Sequence, residues 1–97
     1  MKLYIDTRDN KKTKVGLDDK IIESPAKENK SQQLLPLIQK ILDENKKDLK
    51  DLTEIKVEVG PGSFTGIKIG VAVANALGWA LEIPVNGQKQ VEPRYEE

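Results

Sequence analysis

The chemistry open to this 97-residue chain is concentrated in one stretch, Gly60-Pro61-Gly62-Ser63-Phe64-Thr65-Gly66. Gly60 and Gly62 admit positive backbone angles that other residues resist, and Ser63 or Thr65 can cap a following helix. Amide groups at such a helix start attract anions. Gly60, Gly62, Ser63, Thr65 and Gly66 therefore form a candidate nucleotide or anion contact. The same glycines also suit a plain tight turn, and the lysine spacing of a P-loop is missing. The chain has no histidine and no cysteine, which removes the commonest general base, the commonest metal ligand and every thiolate site. Carboxylates remain. Asp6 sits at a strand end, Glu58 is its only nearby strand candidate, and a third acid is not evident. Two-metal hydrolysis needs several carboxylates, so no catalytic residue and no metal ligand is assigned.

These residues need elements to position them. Leu3 to Asp6 reads as a buried strand. Lys14 to Leu17 and Lys20 to Glu23 read as two more, joined at Asp18-Asp19, which predicts an antiparallel meander of three. Ser24 to Lys30 is a polar connection. Leu34, Leu35, Leu37, Ile38, Ile41 and Leu42 then recur at helical spacing, with Ser31 as the expected N-cap and Pro36 as a late start or a bend. The charged run Asp43 to Asp48 closes that helix. Thr53 to Val59 alternates as a strand, Gly60-Pro61-Gly62 stops it, and a second helix is expected from about Phe64 to Leu81. Pro84 ends that helix, and Pro84-Val85-Asn86 is expected as a short final strand. The order is β-β-β-α-β-α-β, with residues 1–87 as one lobe and residues 88–97 as a polar tail.

The second helix holds the sharper signal. Lys68, Asn75 and Glu82 fall on one narrow stripe, and nearly everything else from Ile67 to Leu81 is apolar. A helix apolar on almost every side needs burial on almost every side, and so small a domain has few elements to supply it. Ile69, Val73, Ala76 and Trp79, with Leu34 and Ile38 of the first helix, form the candidate partner-binding set. Gly66, Gly70, Ala74 and Gly78 make a smooth ridge that either packs on the chain's own sheet or docks another subunit. Sixteen basic and sixteen acidic residues cancel to a net charge of zero, so no bulk charge draws the chain to nucleic acid or membrane. The runs Lys11 to Lys14 and Asp43 to Asp51 read as solvated faces. Ile67 to Leu81 is short for a bilayer span, no signal-peptide pattern opens the sequence, and a cytoplasmic protein is the expectation.

At this point the residues carry a resemblance. Gly60-Pro61-Gly62-Ser63-Phe64-Thr65-Gly66-Ile67-Lys68-Ile69-Gly70, with Ile83-Pro84-Val85 downstream, resembles the TsaB (YeaZ) pattern GPGSFTGLRIG…IP. Gln33-Leu34-Leu35-Pro36-Leu37-Ile38 is similar to the family's LLPLI helix, and Leu3-Tyr4-Ile5-Asp6-Thr7 to its opening IDTS strand. The match runs in order over residues 1–87. The resemblance implies a single actin-like, ribonuclease-H-like α/β lobe with a mixed five-stranded sheet. It also implies a non-catalytic subunit that docks on a TsaD-like enzyme, with a TsaE-like subunit, in tRNA threonylcarbamoyladenosine modification. Homodimers of such subunits use an overlapping helical surface, and tRNA is met only indirectly. No cofactor is implied for the chain alone, with ATP contacted only in complex. The segment Thr7 to Thr13 lacks the phosphate-wrapping glycines of actin-like ATPases, and the family's second lobe does not follow Gly87. Two other readings are a metal-dependent ribonuclease-H-like hydrolase centred on Asp6 and a nucleotide-sensing module at the glycine turn.

Overall fold

The computed structural model describes residues 1–25 and 30–89. Its strands are β1 (Lys2–Asp6), β2 (Lys12–Leu17), β3 (Lys20–Pro25) and β4 (Glu54–Val57), and its helices are α1 (Lys30–Glu44) and α2 (Phe64–Leu81), with a short 3₁₀ turn at Leu49–Asp51. The sheet runs β3-β2-β1-β4. β1, β2 and β3 form the antiparallel meander, and β4 lies parallel to β1 on its other side. Alternation decides which face is core. Leu3, Ile5, Val15, Leu17, Ile55 and Val57 all point the same way and are buried. Both helices pack over that side: α1 covers it with Leu34, Leu37, Ile38, Ile41 and Leu42, and α2 with Ile67, Val71 and Ala74. The opposite face carries Lys2, Tyr4, Lys14 and Lys56, and among the described residues no helix covers it.

Local signals account for most boundaries. The two-residue turn Asp18-Asp19 joins β2 to β3; Asp18 takes a positive φ of 55°, and its Oδ1 accepts from the Lys2 amide at 2.9 Å. Asparagine and aspartate tolerate that backbone region better than most residues. α1 begins at Lys30 rather than after an N-cap at Ser31. It runs through Pro36, whose missing N–H leaves the Gln32 carbonyl without its usual helical donor. Lys46, at φ 55°, turns the chain out of the helix, and the Asn45 side chain donates to the Ile41 carbonyl at 2.7 Å.

The sheet has four strands, not the expected five. The segment Pro84-Val85-Asn86 does run beside β4, but only as a single parallel bridge between Ile55 and Val85. Asn86 supplies the reason. Its φ of 51° turns the backbone away, and its side-chain amide stands in for the next strand residue. Oδ1 accepts from the Val57 N–H at 2.8 Å, and Nδ2 donates to the Val57 carbonyl at 2.9 Å. The tail beyond Lys89 lies outside the described residues.

Candidate functional site

α2 starts where Ser63 caps it, its Oγ accepting from the Gly66 amide at 3.3 Å. The inner side of the helix is its small-residue ridge. Gly66, Ile67, Gly70, Val71, Ala74 and Gly78 are the buried residues of its eighteen. A Cβ at Gly70 would collide with the Thr7 hydroxyl, and one at Gly78 would lie 2.5 Å from Val85 Cγ2. The ridge is therefore spent on close packing within the chain. Thr7, fully buried, completes the contact by donating to the Gly66 carbonyl at 2.6 Å.

Among the described residues the outer side has no such close packing. Trp79 is 82% exposed and Phe64 53% exposed. Ala72, Ala76 and Ala80 are also open, while Ile69, Val73, Leu77 and Ile83 are half-buried. Of the expected partner-binding residues of this helix, Ala76 and Trp79 are exposed, whereas Ile69 and Val73 are half-buried and pack against the core. Leu34 and Ile38 do not join them. They are 0% and 1% exposed, because the α1 stripe is what closes the sheet; Leu35 is the open leucine of that helix. The whole of α2, Phe64–Leu81, is long and apolar enough to cross a membrane by length and composition, but its inner ridge is locked into this fold. At its C-terminal end a groove of about 800 Å³ runs between Trp79, Ala80, Ile83, Pro84 and Lys89.

The glycine turn sits at the opposite end of the helix. Gly60 takes a φ of 129°, a conformation that favours glycine. Of the five residues expected to cradle an anion, Ser63 has its amide committed, donating to the Arg8 carbonyl at 2.8 Å. Gly66 N–H goes to the cap. Thr65 is exposed on the first turn, and Gly62 lies against Arg8.

Beside the turn lies a cluster that spacing did not suggest. Arg8 closes a fork on Asp6, with Nε to Oδ1 and Nη2 to Oδ2 both at 3.0 Å, and reaches Glu58 Oε2 at 3.6 Å. Tyr4 donates its hydroxyl to Glu58 at 2.8 Å and lies 3.3 Å from Asp6 Oδ2. Burial works to raise the Asp6 pKa, but the hydrogen bonds from Arg8 outweigh it and the net shift is downward. Burial first, then the hydrogen bond to Glu58, pushes the Tyr4 phenol well above its ordinary value. The guanidinium thus occupies the space between the two carboxylates considered for a metal. Tyr4 and Arg8 are the members that the sequence does not single out, since nothing in local pattern pairs either with Glu58.

A four-stranded meander-plus-parallel sheet, covered on one face by two helices and joined by a glycine turn, is one lobe of the actin-like, ribonuclease-H-like class. YeaZ from Pseudomonas aeruginosa superposes on it with a TM-score of 0.72 and 29% identity, over 87% of this chain and 40% of that one. A protein-family model described as TsaD, tRNA N6-adenosine threonylcarbamoyltransferase, matches residues 19–92. The tRNA threonylcarbamoyladenosine biosynthesis protein TsaB of Bacillus subtilis is 38% identical over 66 residues, 68% of this chain and 29% of that protein. TsaB of Escherichia coli is 39% identical over 57 residues, 59% of this chain and 25% of that protein. The chain belongs to this threonylcarbamoyltransferase family, on its TsaB (YeaZ) side, and matches the N-terminal part of those proteins. It spans between a quarter and three tenths of the curated relatives' length.

Proposed function

We propose that this chain acts as a non-catalytic, TsaB-like binding subunit in tRNA threonylcarbamoyladenosine modification, docking on a TsaD-like enzyme through the outer side of α2. The observation that carries the reading is the uncovered apolar side of that helix, with Trp79 at 82% exposure. Aromatic residues in that position are typical anchors of protein interfaces. A TsaD-like occupant is favoured because a family model described as TsaD matches residues 19–92 of this chain. Related lobes present equivalent helices, and two such helices can pack ridge into groove. A second copy of the chain would meet the same requirement by two-fold pairing, and a TsaE-like subunit is a further proposed partner. tRNA is reached through the enzyme, in keeping with a net charge of zero.

The hydrolase reading loses support at Arg8, which already neutralises Asp6. Among the described residues no group of three or more acids converges. The nucleotide-sensing reading loses the Ser63 and Gly66 amides to internal bonds. The test is light scattering after gel filtration, with the chain alone and mixed with the TsaD-like enzyme. A stable complex with the enzyme, lost in Trp79→Ser, is the expected result. A chain that stays monomeric and ignores the enzyme would sink the proposal.

A further inference from the structure

The turn after α2 carries a chemistry that its own geometry holds in check. Asn86 and Gly87, at φ 51° and 78°, are the central residues of a two-residue turn. Val85 N–H donates to the Gln88 carbonyl at 2.6 Å, and Gln88 N–H to the Val85 carbonyl at 2.9 Å. A tight turn with both angles positive is what Asn-Gly suits best. The same dipeptide is also the one in which a side-chain amide is most easily lost. Glycine has no Cβ to shield its nitrogen, and its backbone freedom lets that nitrogen swing toward the preceding side chain. Gly87 is exposed, and beyond its chain neighbours nothing lies within 4 Å of the place where its Cβ would stand.

We infer that Asn86 is a site of spontaneous deamidation that the folded chain protects and a locally opened chain exposes. The Gly87 nitrogen, its proton taken by hydroxide, attacks Cγ of Asn86. The N–Cγ bond forms, the Cγ–Nδ2 bond breaks, and Nδ2 takes a proton from water and leaves as ammonia. The five-membered succinimide then adds one water at either carbonyl and opens to aspartate or isoaspartate. Water is the only co-reactant.

Native contacts oppose the first step. Oδ1 accepts from Val57 N–H at 2.8 Å and Nδ2 donates to the Val57 carbonyl at 2.9 Å, so the planar amide is held against β4 by both ends. Attack makes Cγ tetrahedral, which bends or breaks both bonds. Asn86 N–H is tied as well, donating to the Ile55 carbonyl at 2.8 Å. The reaction therefore waits on local opening, and its rate follows the open fraction. No later step restores the amide. An aspartate keeps an acceptor for Val57 N–H but turns a carboxylate oxygen, in place of a donor, toward the Val57 carbonyl. Isoaspartate also adds a carbon to the main chain and so breaks the turn. Val85 next door is fully buried in the space that Gly78 of α2 leaves open, so the loss reaches the end of that helix. The modification marks, in one direction only, a chain that has opened here. It does not depend on the docking reading, because it uses the turn and β4 alone.

The experiment incubates the full chain at mildly alkaline pH, folded and in guanidinium chloride, and follows each asparagine by peptide mapping for the exchange of NH for O. In the unfolded chain Asn86 should convert ahead of Asn10, Asn29, Asn45 and Asn75, which are followed by lysine or alanine. In the folded chain Asn86 should slow by about tenfold or more, as for a site closed by several hydrogen bonds. Exposed Asn10 corrects for any effect of the denaturant itself. Asn86→Asp, which makes one product directly, should have a lower urea midpoint. Should that variant fail to fold, the two rates on the unaltered chain still decide. Conversion of Asn86 no faster than the other asparagines when unfolded, equal corrected rates in the folded and unfolded chain, or a wild-type midpoint in Asn86→Asp would each overturn the inference.

Discussion

Thr7 and Asp6 show how closely single residues decide this fold. Thr7 is wholly buried and sits directly beneath Gly70, so the position needs both a hydroxyl and a missing side chain. Gly70→Ala should gain about 1 kcal/mol in helix propensity yet lose about 1–3 kcal/mol to overpacking. The net result is a lower urea midpoint. Thr7→Ala combined with Gly70→Ala should recover part of that loss, because the two changes share one contact; simple additivity would show that the contact is not the cause. Asp6 makes a pH prediction. Its pKa is depressed in the folded chain below the ordinary 3.8, so its ionised form is the one the fold favours. Its contribution is complete above that ordinary value and disappears as pH falls through the folded one. Urea unfolding as a function of pH should show Asp6→Asn less stable than wild type near neutrality, with the two curves converging in acid. Parallel curves down to low pH would remove the Arg8 fork from the account of stability.

At the scale of elements, α2 ends on a residue that does not suit its place. Glu82 is the C-cap with φ 57° and ψ 44°, the left-handed conformation that costs a non-glycine residue about 1–2 kcal/mol. Glu82→Gly should raise the melting temperature and stabilise the chain by about 0.5–1 kcal/mol, since added freedom in the unfolded chain takes back part of the gain. A lower melting temperature would show that the glutamate side chain contributes something the backbone geometry hides. The bounds of α2 could be read from the sequence because Ser63, Gly60 and Pro84 punctuate it chemically. The last strand could not, because the side chain of Asn86 replaces a backbone ladder, and periodicity carries no trace of such a substitution. The α1 stripe was visible as a stripe, but spacing alone does not say what a stripe faces. Leu34 and Ile38 were therefore set against a partner when the sheet itself required them. The Tyr4–Glu58 bond was hidden for another reason: the two stand 54 residues apart and meet only because β4 joins β1 in parallel.

The whole molecule has one tryptophan, and it stands on the surface proposed to dock. Trp79 is thus an internal reporter of what α2 meets. In the isolated monomer its emission should be that of a hydrated indole and freely quenched by iodide, in line with its 82% exposure. Burial by a partner should shift emission to the blue and protect it from quenching. Concentration separates the two occupants. Self-association gives a shift that grows with the chain's own concentration and reverses on dilution, and a net charge of zero offers no repulsion to oppose it. Docking on the TsaD-like enzyme, best read with an enzyme whose own tryptophans are replaced by phenylalanine, gives a shift that saturates at one enzyme per chain. Truncating a well-anchored aromatic residue of this kind costs about 2 kcal/mol or more of binding, or about thirtyfold in affinity. Ala76→Glu, which leaves the indole in place, should abolish the shift while the fold persists, because Ala76 lies on the exposed side of the helix. An indole still open to iodide beside a saturating enzyme would mean that the partner, if bound, sits on another face.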